Sequence, residues 1–198
     1  FKANSTKNSS TPDNRSDEKG TISTVIFDSV QQDYKWKAYV GNVTSSFTLD
    51  DSADYSIYQW DVDEFSGEVF ATRASTTPSW SNINCSETTD KESEDTALTH
   101  DSTSPDSINQ TFNTQTHKTF DVGDITIPES ECYAIATNIN DSVNSLTTGA
   151  AFQEVLLHDG TNTIYTTFVE NDIFGYRNDS TTYDFQMILA ENATITAP

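Results

Sequence analysis

Along this chain, apolar residues recur at every second position in short runs, and the runs are separated by residues that favour turns. Tyr34 to Val40 alternates cleanly, Phe47 to Leu49, Ile57 to Val62 and Gly67 to Thr72 follow, and Thr21 to Phe27 opens the series. A period of two predicts half-buried strands. Asp28-Ser29, Gly41-Asn42, Asp50-Asp51-Ser52 and Ser66-Gly67 stand between them, residue types that bond their own backbone or tolerate positive φ. The pattern resumes with Ile108 to Phe112, Phe120 to Ile127 and Cys132 to Ala136. It is clearest in the last third, where Phe152 to Leu157 and Thr163 to Val169 flank His158-Asp159-Gly160, an Asp-Gly hairpin signal. A closing strand places Tyr183, Phe185, Met187 and Leu189 on one face. Asn140 to Leu146 reads as one or two helical turns, and no stretch of ten residues shows a clear 3.6 period. The expected fold is all-β, an antiparallel β-sandwich of immunoglobulin-like or jelly-roll type with about ten to twelve short strands.

Two polar segments interrupt this pattern. Phe1 to Gly20 contains one aromatic residue and no apolar period, which predicts a flexible, glycosylated N-terminal tail ahead of a single domain over residues 21–198. Ser86 to Ser107 has one Leu and no aromatic residue, which predicts a long polar loop. Nine Asn-x-Ser/Thr sequons occur, at Asn4, Asn8, Asn14, Asn42, Asn84, Asn109, Asn140, Asn178 and Asn192. Random placement gives roughly four, so the excess points to N-glycans and an extracellular or cell-surface location. Asn42, Asn109, Asn140 and Asn178 lie in or beside predicted turns, which favours their occupancy over that of Asn84. The two cysteines, Cys85 and Cys132, suit a disulfide in the same compartment; closing the loop between them contributes about 4 kcal/mol. The chain opens on Phe1, so a removed signal peptide is expected, and there is no apolar run of membrane-spanning length.

The balance of 10 Lys+Arg against 31 Asp+Glu gives a net charge of −21. Nucleic acid is a poor partner for such a surface, and so are anionic lipid headgroups. Acidity of this degree suits salt-rich surroundings or a glycan-coated secreted protein.

Candidate chemistry is sparse. No G-x-S-x-G occurs, and His100, His117 and His158 are scattered without nucleophile or metal spacing, so they read as solvated surface. The 31 acids are too numerous for any pair to stand out as a glycosidase dyad, and solvated surface is the plainer reading for them. Asp61, Asp63 and Glu64, three acids in four residues, are the calcium candidate; they match no EF-hand register, and solvated turn acids are the plainer reading. Trp36, Trp60, Trp80, Tyr58 and Tyr39 read as core packing rather than a sugar-stacking platform, with Trp80 the most exposed.

The segments Tyr34 to Trp60, Ser66 to Thr72, Trp80 to Cys85, Phe152 to Gly160, Ile164 to Glu170 and Thr182 to Asn192 resemble a family of secreted archaeal cell-surface proteins with no settled function. The resemblance implies an immunoglobulin-like β fold and a surface role, and no chemistry. The functional expectation is a non-enzymatic, glycosylated structural subunit of an archaeal filament or surface layer, self-associating into a homopolymer without cofactor, nucleic acid or membrane insertion. The alternative is an adhesin that recognises glycans or another cell.

Overall fold

A computed structural model describes residues 15–17, 20–22, 35–62, 64, 66–137, 139–140, 145–146, 152–175 and 180–193. The chain separates into two compact units, Phe1–Gln32 and Asp33–Pro198. In the first, β1 (Arg15–Asp17) and β2 (Gly20–Ile22) form an antiparallel pair. Part of the expected tail is therefore hydrogen-bonded strand, and the boundary between units falls after Gln32 instead of after Gly20.

The second unit opens with β3 (Lys35–Gly41), β4 (Ser45–Asp50), β5 (Ser56–Val62) and β6 (Glu68–Ala71). A 3₁₀ turn at Trp80–Asn82 leads to β7 (Asn84–Cys85), then to helices α1 (Thr88–Ala97) and α2 (Ile108–Thr111). Next come β8 (Phe120–Val122), β9 (Ile125–Ile127), β10 (Ala134–Ala136), β11 (Ile139–Asn140) and β12 (Ser145–Leu146). The chain closes with β13 (Gln153–His158), β14 (Thr163–Phe168), β15 (Ile173–Phe174), β16 (Thr182–Tyr183) and β17 (Phe185–Glu191). The all-β expectation holds, with short strands in antiparallel pairs and two small helices.

The centre is a sheet in the order β10-β13-β14-β6, with β7 also paired to β13. All six residues of β14 are buried, Thr166 and Thr167 at 0% exposure, because both faces of this sheet are covered. On one face Val155, Leu157, Ile164 and Phe168 pack with Phe120, Val122 and Ile127 of the β8–β9 hairpin and with Ile83 and Cys132. On the other, Leu156 and Tyr165 meet Leu98, Ile108, Phe112 and Met187, flanked by Trp36 and Leu189. The described pairings thus give one central sheet with a cover on each side, and two large sheets facing each other do not emerge from them.

Part of the second cover is the β3–β17 pair, held from Phe185↔Gly41 to Glu191↔Lys35. It is fastened to the sheet by side chains. Thr167 Oγ1 and Thr137 Oγ1 both donate to the Gln186 carbonyl, at 2.9 and 3.2 Å, and the Ile188 N–H donates to Glu154 at 2.8 Å. The buried hydroxyls and carboxyl do there what a ladder does elsewhere, satisfying backbone groups that would otherwise be orphaned.

Three sequence expectations are corrected. The predicted loop Ser86 to Ser107 contains α1, closed at its start by a reciprocal capping box between Glu87 and Asp90. The predicted strand Ile108 to Phe112 is largely α2, because the Ser107 hydroxyl accepts from the Gln110 N–H and starts a helix. Within Asn140 to Leu146, Asn140 belongs to β11, which pairs with β12, so its described residues are strand and not helix. The Cys85–Cys132 disulfide forms across a sequence separation of 47, with Cα atoms 4.9 Å apart.

Candidate functional site

The β4–β5 hairpin pairs only with itself: among the described residues no third strand joins it. Its register sets Phe47 opposite Trp60 and Leu49 opposite Tyr58, which puts these four side chains on one face. Ser46, Thr48, Gln59 and Asp61 fall on the other. That polar face is internally bonded, Thr48 to Asp50 at 3.1 Å and Gln59 Nε2 to Asp61 at 2.7 Å. Between Leu49 and Asp50 the register shifts, Ile57 being the extra residue of a bulge. At the tip, the Asp51 carboxylate accepts from the Ala53 and Tyr55 N–H groups at 2.8 and 3.1 Å, and Asp54 takes φ +62°.

The apolar face is open. Phe47 is 58% exposed, Leu49 52%, Tyr58 58% and Trp60 50%, while Tyr55 and Ile57 beside the tip are exposed further. Tyr58 and Trp60 lie edge to face with ring centroids 4.8 Å apart, so the surface is preformed. The four side chains expose roughly 400 Å² at about 100 Å² each, the size of the largest and often functional patch on a monomer. From Ala38 to Thr72 the chain has seven acids and no Lys or Arg, and the hairpin itself carries Asp51 and Asp54 at its tip and Asp50 and Asp61 on its polar face, so it is acidic without a counter-charge of its own. What the arrangement offers chemically is an apolar and aromatic strip on an acidic hairpin, with two strand edges that no other described strand pairs.

This overturns the core-packing expectation for Trp60, Tyr58 and Tyr39, the last 44% exposed on β3. Trp36 does pack inward, 6.4 Å from Phe112 by ring centroids and donating its indole N–H to the Asp106 carbonyl at 2.8 Å. Trp80 is exposed as expected, at 40%, and stacks on Phe70, but Trp60 is more exposed. Of the calcium candidates, Asp61 is engaged by Gln59, Glu64 is exposed, and Asp63 lies outside the described residues. Among the described residues no group of three His, Cys, Asp or Glu is placed to hold a metal ion.

The histidines are not the solvated surface expected of them. His117 is 4% exposed, its Nδ1 donating to the Lys118 carbonyl at 2.8 Å and its Nε2 accepting from the Cys132 and Glu131 N–H groups at 2.9 and 3.2 Å. Those partners fix the orientation of the ring beside the disulfide. His100 is 7% exposed, with Nε2 at 2.8 Å from the Glu191 carbonyl and Nδ1 at 3.3 Å from Asp95. His158 is half-buried and receives the Gly160 N–H.

Several acids are likewise interior. Asp95, fully buried, accepts from the N–H groups of Ile108 at 2.7 Å and Asn109 at 3.0 Å and so ties α1 to α2. Lys91 of the same helix donates to the Phe112 carbonyl at 2.8 Å and lies 3.4 Å above the Tyr133 ring; burial lowers its pKa. Glu94 receives Arg73 at 2.7 Å. Asp184, 4% exposed, accepts from Val43 and Asp172. These groups bond structural neighbours and are closed to solvent, which makes them fastenings of the fold.

Of the sequons, Asn42, Asn84 and Asn192 are exposed, while Asn109 is half-buried in α2 with its side chain 3.4 Å from the Ser102 carbonyl. Exposure therefore favours Asn84 over Asn109, the reverse of the ranking expected from turns. Asn140 is placed only as backbone in β11, and Asn4, Asn8, Asn14 and Asn178 lie outside the described residues. No helix among the described residues is long and apolar enough to cross a membrane. Compared with models of protein families, with curated proteins and with solved structures, the chain has no match in any of the three.

Proposed function

We propose that this chain is a non-enzymatic structural subunit of an extracellular assembly, a glycosylated filament or layer on an archaeal cell surface built by self-association. The observation that carries the reading is the β4–β5 hairpin. An amphipathic hairpin with roughly 400 Å² of apolar surface, and with neither edge paired by another described strand, is costly for a solitary molecule and useful to one that docks. The disulfide supports an oxidising compartment. Exposed sequons at Asn42, Asn84 and Asn192 support the glycan coat.

The edge-to-face Tyr58–Trp60 pair also suits the apolar face of a sugar ring, which favours an adhesin as the second reading. Electron microscopy and sedimentation of the full chain over rising concentration in high salt separate the two. Regular filaments or lattices are the expected result. Protein that stays monomeric at its solubility limit and is retained on a glycan array overturns self-assembly in favour of the adhesin.

A further inference from the structure

The open face of the hairpin has a specific occupant available in the chain itself. Every unit of the net charge belongs to residues 33–198, which hold 6 Lys+Arg and 27 Asp+Glu. Phe1–Gln32 is neutral, with four cations, Lys2, Lys7, Arg15 and Lys19, matched by four acids. It also carries the run Thr21 to Phe27, rich in the β-branched and aromatic residues that suit a strand. The chain therefore has one segment able to approach the acidic hairpin without a large repulsion, and that segment brings apolar residues with it.

Area argues the same way. Two hairpin faces packed on each other bury roughly 800 Å² in total, short of the about 1,000 Å² that a specific interface needs, and they bring two acidic hairpins together. An added segment covers the apolar face and an edge at once. Backbone bonds give such a contact its strength and alternate side chains its register.

We infer, resting on the self-assembly reading above, that the N-terminal segment Phe1–Gln32 of one copy docks on the β4–β5 hairpin of the next. The contact joins unlike surfaces, so each copy is both donor and acceptor. A head-to-tail contact of this kind propagates into a filament or a ring, where a contact of like surfaces stops at a dimer.

The test uses two full-length variants, each damaging one partner. Phe47→Ser with Trp60→Ser removes the apolar face, and replacing Lys2, Lys7, Arg15 and Lys19 together with Glu sets the donor segment against the acidic hairpin. Phe47 and Trp60 belong to neither buried cluster, and circular dichroism with an intact disulfide verifies that both variants fold. Sedimentation velocity is expected to find wild type in large assemblies and each variant alone as a monomer. The equimolar mixture is expected to form dimers and stop, since one good donor and one good acceptor remain per pair. Assembly by the four-Glu variant comparable to wild type, while the hairpin variant stays monomeric, overturns the segment as occupant and leaves self-assembly standing. Variants that are both monomeric and fail to dimerise on mixing overturn the donor-acceptor pairing. A wild type that is monomeric throughout overturns the self-assembly reading itself.

Discussion

Glu154 is enclosed where β13 meets β17, at 0% exposure, and its carboxyl accepts from the Ile188 N–H at 2.8 Å. Burial pushes its pKa well above the 4.5 of an ordinary glutamate, and the single backbone bond only partly offsets this. The folded chain then holds a proton that the unfolded chain has released, so stability falls as pH rises from 4.5 toward the folded value. Glu154→Gln keeps an acceptor for Ile188 and has no proton to lose. The variant is expected to match wild type below pH 4.5 and to become progressively more stable than it above, as urea unfolding across the pH range reads directly. Equal stability of the two at every pH contradicts the assignment. Five residues on, Asp159 behaves in the opposite sense. Burial alone raises its pKa, but N–H groups of Asn162, Ser79 and Thr161 and the Asn162 amide outweigh that and bring it from 3.8 to about 2. Its contribution is present above pH 3.8 and lost as pH falls through about 2. Asp159→Ala is expected to cost about 2 kcal/mol at pH 7, lowering the thermal midpoint by about 4 to 8 °C, with a gap that narrows toward pH 2.

Helix α1 buries Lys91, Glu94, Asp95 and then Leu98, spacings of three, one and three that define one helical face. Three of these four residues are ionisable. Asp95 does most of the joining, since it satisfies the first two N–H groups of α2, and Asp95→Ala orphans both of them in a buried place. The expected cost is about 2 to 4 kcal/mol in urea unfolding, against less than about 1 kcal/mol for Glu92→Ala on the exposed side of the same helix. Similar costs for the two variants would mean that α1 is not held through this face. The burial of charged residues is also why the helix is illegible in the sequence: it has no apolar period, and the period it does have is carried by charges whose partners, Arg73, Phe112 and Ile108, lie elsewhere in the chain. Strands β3, β4, β5, β6, β13 and β14 were legible because alternation or an apolar run depends on local pattern alone. Alternation does not say which face is covered, so the exposure of Trp60 and Tyr58 was beyond it. The same limit hid the double burial of β14, where Thr167 turns a polar side chain inward and donates its hydroxyl to Gln186 of β17.

At the scale of the whole molecule, the disulfide and the salt response belong together. The Cys85–Cys132 bond joins β7 to the segment entering β10, within the unit of residues 33–198 that carries the whole net charge of the chain. Beyond Gln32 the chain holds 27 acids against six cations; Glu94, Asp95, Glu154, Asp159 and Asp184 are buried, but so is Lys91, and the excess of negative charge repels itself. That repulsion acts over about 10 Å at 0.1 M salt and about 3 Å at 1 M, so screening stabilises the folded chain more than the expanded one. The thermal midpoint is expected to climb between about 0.05 and 1 M NaCl, and to climb equally in KCl, because screening does not depend on which monovalent cation supplies it. Glu129→Lys with Glu131→Lys, two exposed acids on the loop before β10, is expected to raise the low-salt midpoint and to flatten the climb. A midpoint indifferent to salt would mean that the surface charge is already neutralised within the fold. A climb of unchanged slope in the double variant would place the salt effect in apolar burial, which salting-out also strengthens, and would remove self-repulsion as its cause.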